Sequence, residues 1–222
     1  MPLGGGPLGP RLRKTAFADS DGIAPHCGAS RLTAVTTTAD ARSSGGGIML
    51  GGLALGAAVV ILIGVYGTVH DPTGRSLVTV LFTATINAKV WLATIAMGLA
   101  VFQLGSALRI YGKIGGDRPV APWLGKAHRA SGVTAFLVSI PVAYHCLWAL
   151  GFTADQGPRI LAHSLLGTLF YGALVTKIVF VRSRNTPGWG LPLVGGTLFA
   201  VLTGIWLTSS FWFFTTVEFP GF

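Results

Sequence analysis

Beyond residue 47 the chain alternates between long apolar stretches and short polar or turn-forming breaks. The apolar stretches cover residues 48–70, 90–111, 127–152, 159–181 and 190 to about 214. A helix needs ~20 apolar residues to cross a bilayer, and each stretch has that length. The pattern therefore predicts an all-α fold, a polytopic membrane bundle of about five transmembrane helices. The first carries Gly52-x3-Gly56, a small-residue spacing that lets helix backbones approach closely. Residues 77–87 are apolar but rich in Thr and Val, and too short to cross once Lys89 is excluded. They read as a sixth, re-entrant or interfacial segment on the outer face, with Lys89 and Trp91 as its interface anchor. The alternative is a single long tilted helix from Leu77 to Arg109.

Residues 1–47 lack this pattern. They are rich in Gly, Pro, Ser, Thr and Ala with scattered charge, and read as a disordered basic cytoplasmic tail ahead of the bundle at 48–222. The basic stretch Arg11–Lys14 is not followed by an apolar core, which argues against a cleaved signal peptide. No internal repeat is evident.

Composition agrees with the membrane as solvent. Only 10% of residues are charged against 51% hydrophobic, whereas a soluble domain carries about a quarter charged. Ionised side chains cannot cover a globular surface at that density. The net charge of +9 would suit a nucleic-acid binder, but its distribution points elsewhere. Basic residues gather in the first 47 positions, around the break after the second stretch (Arg109, Lys113, Arg118, Lys126, Arg129) and at the close of the fourth (Lys177, Arg182, Arg184). The alternate breaks hold only Arg75 and Arg159, beside Asp71 and Asp155. Lys and Arg stay cytoplasmic, so the expected location is a bacterial inner membrane, with the amino terminus cytoplasmic and the carboxyl terminus outside. The partner this implies is the lipid bilayer, not nucleic acid.

Cys27 and Cys146 are placed too differently to bridge, and the absence of a CxxCH motif argues against covalent haem. Histidine carries the candidate chemistry, since an ionisable group inside a membrane is costly and marks a functional site by default. In the predicted topology His70, His145 and His163 lie toward the outer side, and His128 opens the third stretch on the inner side. Antiparallel pairing of the third and fourth helices puts His145 level with His163, each roughly 6–8 Å inside its helix end, and Ser131 level with Lys177. Paired imidazoles at one depth suit a low-spin haem b. Gly132 follows His128 by four, and Gly167 follows His163 by four, clearing room for a flat macrocycle.

The segments Ala127-His128-Arg129-Ala130-Ser131-Gly132 and Ala162-His163-Ser164-Leu165-Leu166-Gly167 resemble the histidine-x3-glycine helix starts of cytochrome b561-type and ferric-reductase-like transmembrane proteins. That resemblance implies a helical bundle holding haem b between histidines and passing electrons. Residues 90–214 also resemble an uncharacterised family of small actinobacterial integral membrane proteins. Ferric-reductase-like helices space two histidines 14 apart on one face, whereas His128 and His145 are 17 apart, a rotation of roughly 100° on an ideal helix. Pro141 can kink the span and change that offset. A single haem is therefore the expectation, with His145 and His163 as metal ligands and His70 as the alternative to His163.

Other polar residues have two readings each. His70 is a ligand or a solvated loop residue, and His128 a ligand or an interface residue reaching toward water. Lys177 binds a haem propionate, a quinone carbonyl or a lipid head, or reaches the inner interface. Lys89 is a propionate partner or an anchor. Tyr171 lines the same pocket or packs, and Gln103 bridges helices. The function expected is a membrane b-type cytochrome moving electrons between the quinone pool and an outer-face redox protein in a respiratory chain. The alternative is a haem-free accessory or scaffold subunit of a larger membrane complex.

Overall fold

The computed structural model describes the backbone of residues 29–75, 84–152 and 156–217, with side chains from residue 46 onward. Contacts divide the chain into two compact units, Met1–Ala39 and Asp40–Phe222. Of the first, the described part is the start of one helix. All else below concerns the second.

Six helices make up the described residues, and no strand occurs among them: α1 (Ala29–Val69), α2 (Thr85–Ile110), α3 (Leu124–His145), α4 (Pro158–Arg182), α5 (Gly190–Trp206) and α6 (Trp212–Thr216). A π-helical stretch, Cys146–Leu150, continues α3, and another, Leu207–Phe211, joins α5 to α6. Five segments are long and apolar enough to cross a membrane: Gly46–Val69, Thr85–Ile110, Leu124–Leu150, Pro158–Arg182 and Gly190–Thr216. This is the architecture of a multi-pass membrane protein.

The helices form where apolar runs satisfy every backbone group internally, as hydrocarbon requires. Turns end them where that run fails: Gly112, Gly151 and Gly157 all have positive φ. Two boundaries differ most from the sequence reading. α2 begins at Thr85 rather than Val90, so Thr85–Asn87 and Lys89 belong to the second span and not to an interfacial segment. The aliphatic stem of a lysine lets it sit near a helix end without stranding its charge in hydrocarbon. Ala84 before it is extended, with φ −148° and ψ 151°, so no unbroken helix runs from Leu77 to Arg109. Residues 77–83 lie outside the described residues. α1 starts at Ala29, inside the stretch read as tail, while residues 1–28 lie outside the described residues.

Small and hydroxylic residues stitch the bundle. Gly56 on α1 and Gly172 on α4 meet backbone to backbone: a Cβ on Gly56 would lie 2.7 Å from the Gly172 carbonyl oxygen, and one on Gly172 would lie 2.6 Å from that of Gly56. The Thr176 hydroxyl donates to the Gly52 carbonyl at 3.1 Å beside them. Trp206 Nε1 donates to Thr94 at 3.1 Å, joining α5 to α2. Ser210, with 0% exposure, donates to the Val90 carbonyl at 3.1 Å. Interhelical bonds of this kind average about 0.6 kcal/mol in a membrane.

Backbone packing joins α2 to α3, α4 to α5 and α2 to α5. Ser139 on α3 meets Tyr171 on α4 at 3.1 Å, whereas the constant-sum register would pair Ser139 with Leu169. A tyrosine side chain spans the ~3 Å rise of two helical residues, so this contact lies within reach of the predicted level. α3 and α4 touch through these side chains without close backbone packing, and a cavity lies between them.

Candidate functional site

The helices alternate in direction, so the bundle has two ends of unlike charge. One carries His70, Lys89, His145, Arg159 and His163, and is poor in charge. The other carries Arg109, Lys126, Arg129, Lys177 and Arg182. The cavity opens in the charge-poor half, with a volume of about 410 Å³. Ligand pockets run from ~300 to ~1,000 Å³, so it can take a cofactor-sized molecule. Its walls come from α2 to α6, with Ile63 of α1, and are mostly apolar; the polar groups on them include Lys89, Ser139, Arg159, His163, Tyr171 and Thr208.

Both π-helical stretches border this space, through Cys146 and Leu147 on one side and Thr208 to Ser210 on the other. A π-turn inserts one residue into a helix and re-aims the side chains around it, which is why such turns cluster at functional sites. Gly167 lines the cavity, and a Cβ there would meet nothing within 4 Å. The glycine one turn beyond His163 therefore leaves open space.

His163 Nδ1 lies 3.1 Å from Thr208 Oγ1. The Thr208 hydroxyl has one proton, with the Gly204 and Ile205 carbonyls at 2.8 and 3.0 Å to receive it. With the proton so placed, the tautomer that satisfies this contact is the one protonated on Nδ1, which would carry its lone pair on Nε2. A ring held by its other nitrogen in this way is oriented as a ligand is.

The remaining candidates are dispersed. His145 does not line the cavity. It sits in a small adjoining groove with Thr85, Ala88 and Pro141, and Lys89 and Val142 border both spaces. Its Nδ1 is buried without a hydrogen-bond partner. His70 Nε2 donates to the Trp148 carbonyl at 3.3 Å, and its ring lies 5.0 Å from that of Tyr66 and 4.8 Å from that of Trp148. Thr73 and Gly74 take the neighbouring carbonyls of Trp148 and Ala149. His70 thus belongs to a cap on the end of the third span.

At the basic end His128 Nδ1 pairs with Ser106 at 2.8 Å, and Gln103 donates to both the His128 carbonyl and Ser131. Gly132 makes room there for Gln103 rather than for a macrocycle, since a Cβ would lie 3.2 Å from the Gln103 amide nitrogen. Lys177 is within electrostatic reach of His128.

Sequence reasoning missed Arg159. Its Nη1 donates to the Thr208 carbonyl at 2.7 Å, and its guanidinium carbon stands 3.8 Å from the Trp212 ring centre. An arginine on the charge-poor side was the available signal. Among the described residues, no group of three or more His, Cys, Asp or Glu side chains forms a metal site.

The chain matches a family of unknown function, DUF6529, over residues 49–221 and belongs to that family. The match takes in all five spans, the first included, and lends nothing to the cytochrome resemblance. No curated protein and no solved structure matches the chain.

Proposed function

We propose that this DUF6529 member is a membrane electron-transfer subunit that holds haem b in the cavity of the charge-poor half. It would exchange electrons with the quinone pool and with a redox protein docking at that end. One observation carries the reading: His163, with its ring held against Thr208, lines a cavity of about 410 Å³ in which Gly167 leaves open space. Haem b, when bound, supplies one-electron chemistry between ferrous and ferric iron.

The residues present fit that group from one side. His163 would hold the haem iron, and Thr208 fixes its ring. Apolar walls exclude water, and Tyr171, tethered to Ser139, closes the deeper part of the lining. His145 is the candidate for a second protein ligand, because its Nδ1 is buried and unsatisfied. For both imidazoles to share one space, Lys89 must leave the partition it forms with Val142. His70 and His128 support the bundle instead, through Trp148 and Ser106.

That partition favours the rival reading, a haem-free accessory subunit whose cavity takes a quinone or a lipid. The dithionite-reduced minus oxidised spectrum of the purified protein separates the two. A sharp reduced b-type band that disappears in His163→Ala supports the cytochrome. No band in protein expressed with haem supplied rejects it and leaves the accessory subunit.

A further inference from the structure

Two positive groups lie on the cavity wall. Lys89 and Arg159 both line it, and among the described residues no carboxylate does. The described acidic side chains are Asp71 in the turn after α1 and Asp117 in the break at the opposite end. The amino terminus of α4 begins at Pro158 and adds its partial positive charge beside Arg159. An unpaired charge withdrawn from water is costly, so such groups are normally paired. The charge-poor end is also where the insertion bias gives no reason to keep a cation.

Arg159 is held in a definite pose. One nitrogen is committed to the Thr208 carbonyl in the π-helical stretch, and its guanidinium carbon lies over the Trp212 ring. A guanidinium has five N–H donors in a fixed fork, so most remain for another acceptor. Stacking on an aromatic ring while presenting that fork is how arginine serves carboxylate and phosphate recognition. Lys89 reaches the same cavity from α2 as a second, mobile point charge.

We propose that Lys89 and Arg159 form a seat for an anionic head group, so that the cavity's ligand is an amphiphile with an apolar body and a carboxylate or phosphate at one end. The inference rests on the cavity being a ligand site, and it holds whether or not that ligand is haem. Two sources supply the chemistry: the propionates of a haem, and the phosphate of an anionic lipid.

The full-length protein in detergent is titrated with hemin and with hemin dimethyl ester, which lacks the carboxylates, following the Soret band. Wild type is expected to prefer hemin by about tenfold or more, the scale of one hydrogen bond to a charged group. In Lys89→Gln/Arg159→Gln the preference falls to near unity. Equal binding of the two porphyrins by wild type, or a preference that survives the double substitution, overturns the seat for haem.

If neither porphyrin binds, the haem reading fails alone, and nanodiscs decide the seat. Phosphatidylglycerol should raise the melting temperature over phosphatidylcholine in wild type and not in the double variant, and equal temperatures in wild type overturn the proposal. Arg159→Gln also loses the bond to Thr208. Lys89→Gln alone, with no such bond to lose, is therefore run beside it and is expected to lower each preference severalfold; an unchanged preference in that variant counts against Lys89 as part of the seat.

Discussion

Substituting Gly56 by alanine tests the closest approach in the bundle. The added Cβ would stand 2.7 Å from the Gly172 carbonyl oxygen, where ordinary contact begins at 3.4 Å, a deficit of about 0.7 Å. It would also collide with the Thr176 hydroxyl. Neither obstacle is the loose end of a flexible chain, since one is backbone and the other bonds both Gly52 and Gly172 at 3.1 and 3.0 Å. α1 must move off α4 or Thr176 must give up its bonds. Overpacking of this kind costs about 1–3 kcal/mol, and loss of the interhelical bond adds about 0.6 kcal/mol. Gly51→Ala is the control on the same helix, because a Cβ there meets nothing within 4 Å, and alanine is the better helix former by up to about 1 kcal/mol. Reversible unfolding in mixed detergents, followed by tryptophan fluorescence, should place Gly56→Ala about 2–3 kcal/mol below wild type and Gly51→Ala at or above it. Equal stability of the two variants would refute the close α1–α4 contact.

Two further substitutions bear on the cavity. Gly167→Met places a side chain in open space, so unfolding should be unchanged or slightly harder while the reduced haem band, or any other bound amphiphile, is lost. Bound ligand in a stable Gly167→Met protein would mean the ligand lies elsewhere. His145→Leu removes a buried nitrogen that has no partner, a change that is neutral or stabilising when nothing is bound there. A stabilised variant that keeps the haem band makes His163 the sole protein ligand, whereas loss of the band makes His145 the second.

The spans were legible because length and apolarity are one-dimensional properties. The fourth and fifth differ from the described helices by no more than two residues at each end. The second shifted further, since excluding Lys89 on charge ignored the reach of its stem. The pairing of α3 with α4 was legible within two residues, as Ser139 and Tyr171 show. The cavity was not legible: it exists because these helices touch through side chains while α2 and α5 hold them apart, and no periodicity encodes that spacing. Gly167 and Gly132 share one motif and differ in what lies opposite, open space for one and Gln103 for the other. For the same reason, common depth put His145 and His163 together on paper, while the side chains of Lys89 and Val142 divide them.

A π-turn is an α-helix carrying one surplus residue, which makes Leu207–Phe211 a dial with two settings. Removing a single position there would restore an unbroken helix with little loss of main-chain bonding. What would change is the wide turn itself, which carries Thr208, whose carbonyl accepts from Arg159 and whose hydroxyl meets His163; the helix beyond would keep nearly its direction, because a wide turn of about five residues takes the rotation of about four. One codon thus separates a helix that offers both groups to the cavity from an equally helical one that withdraws them.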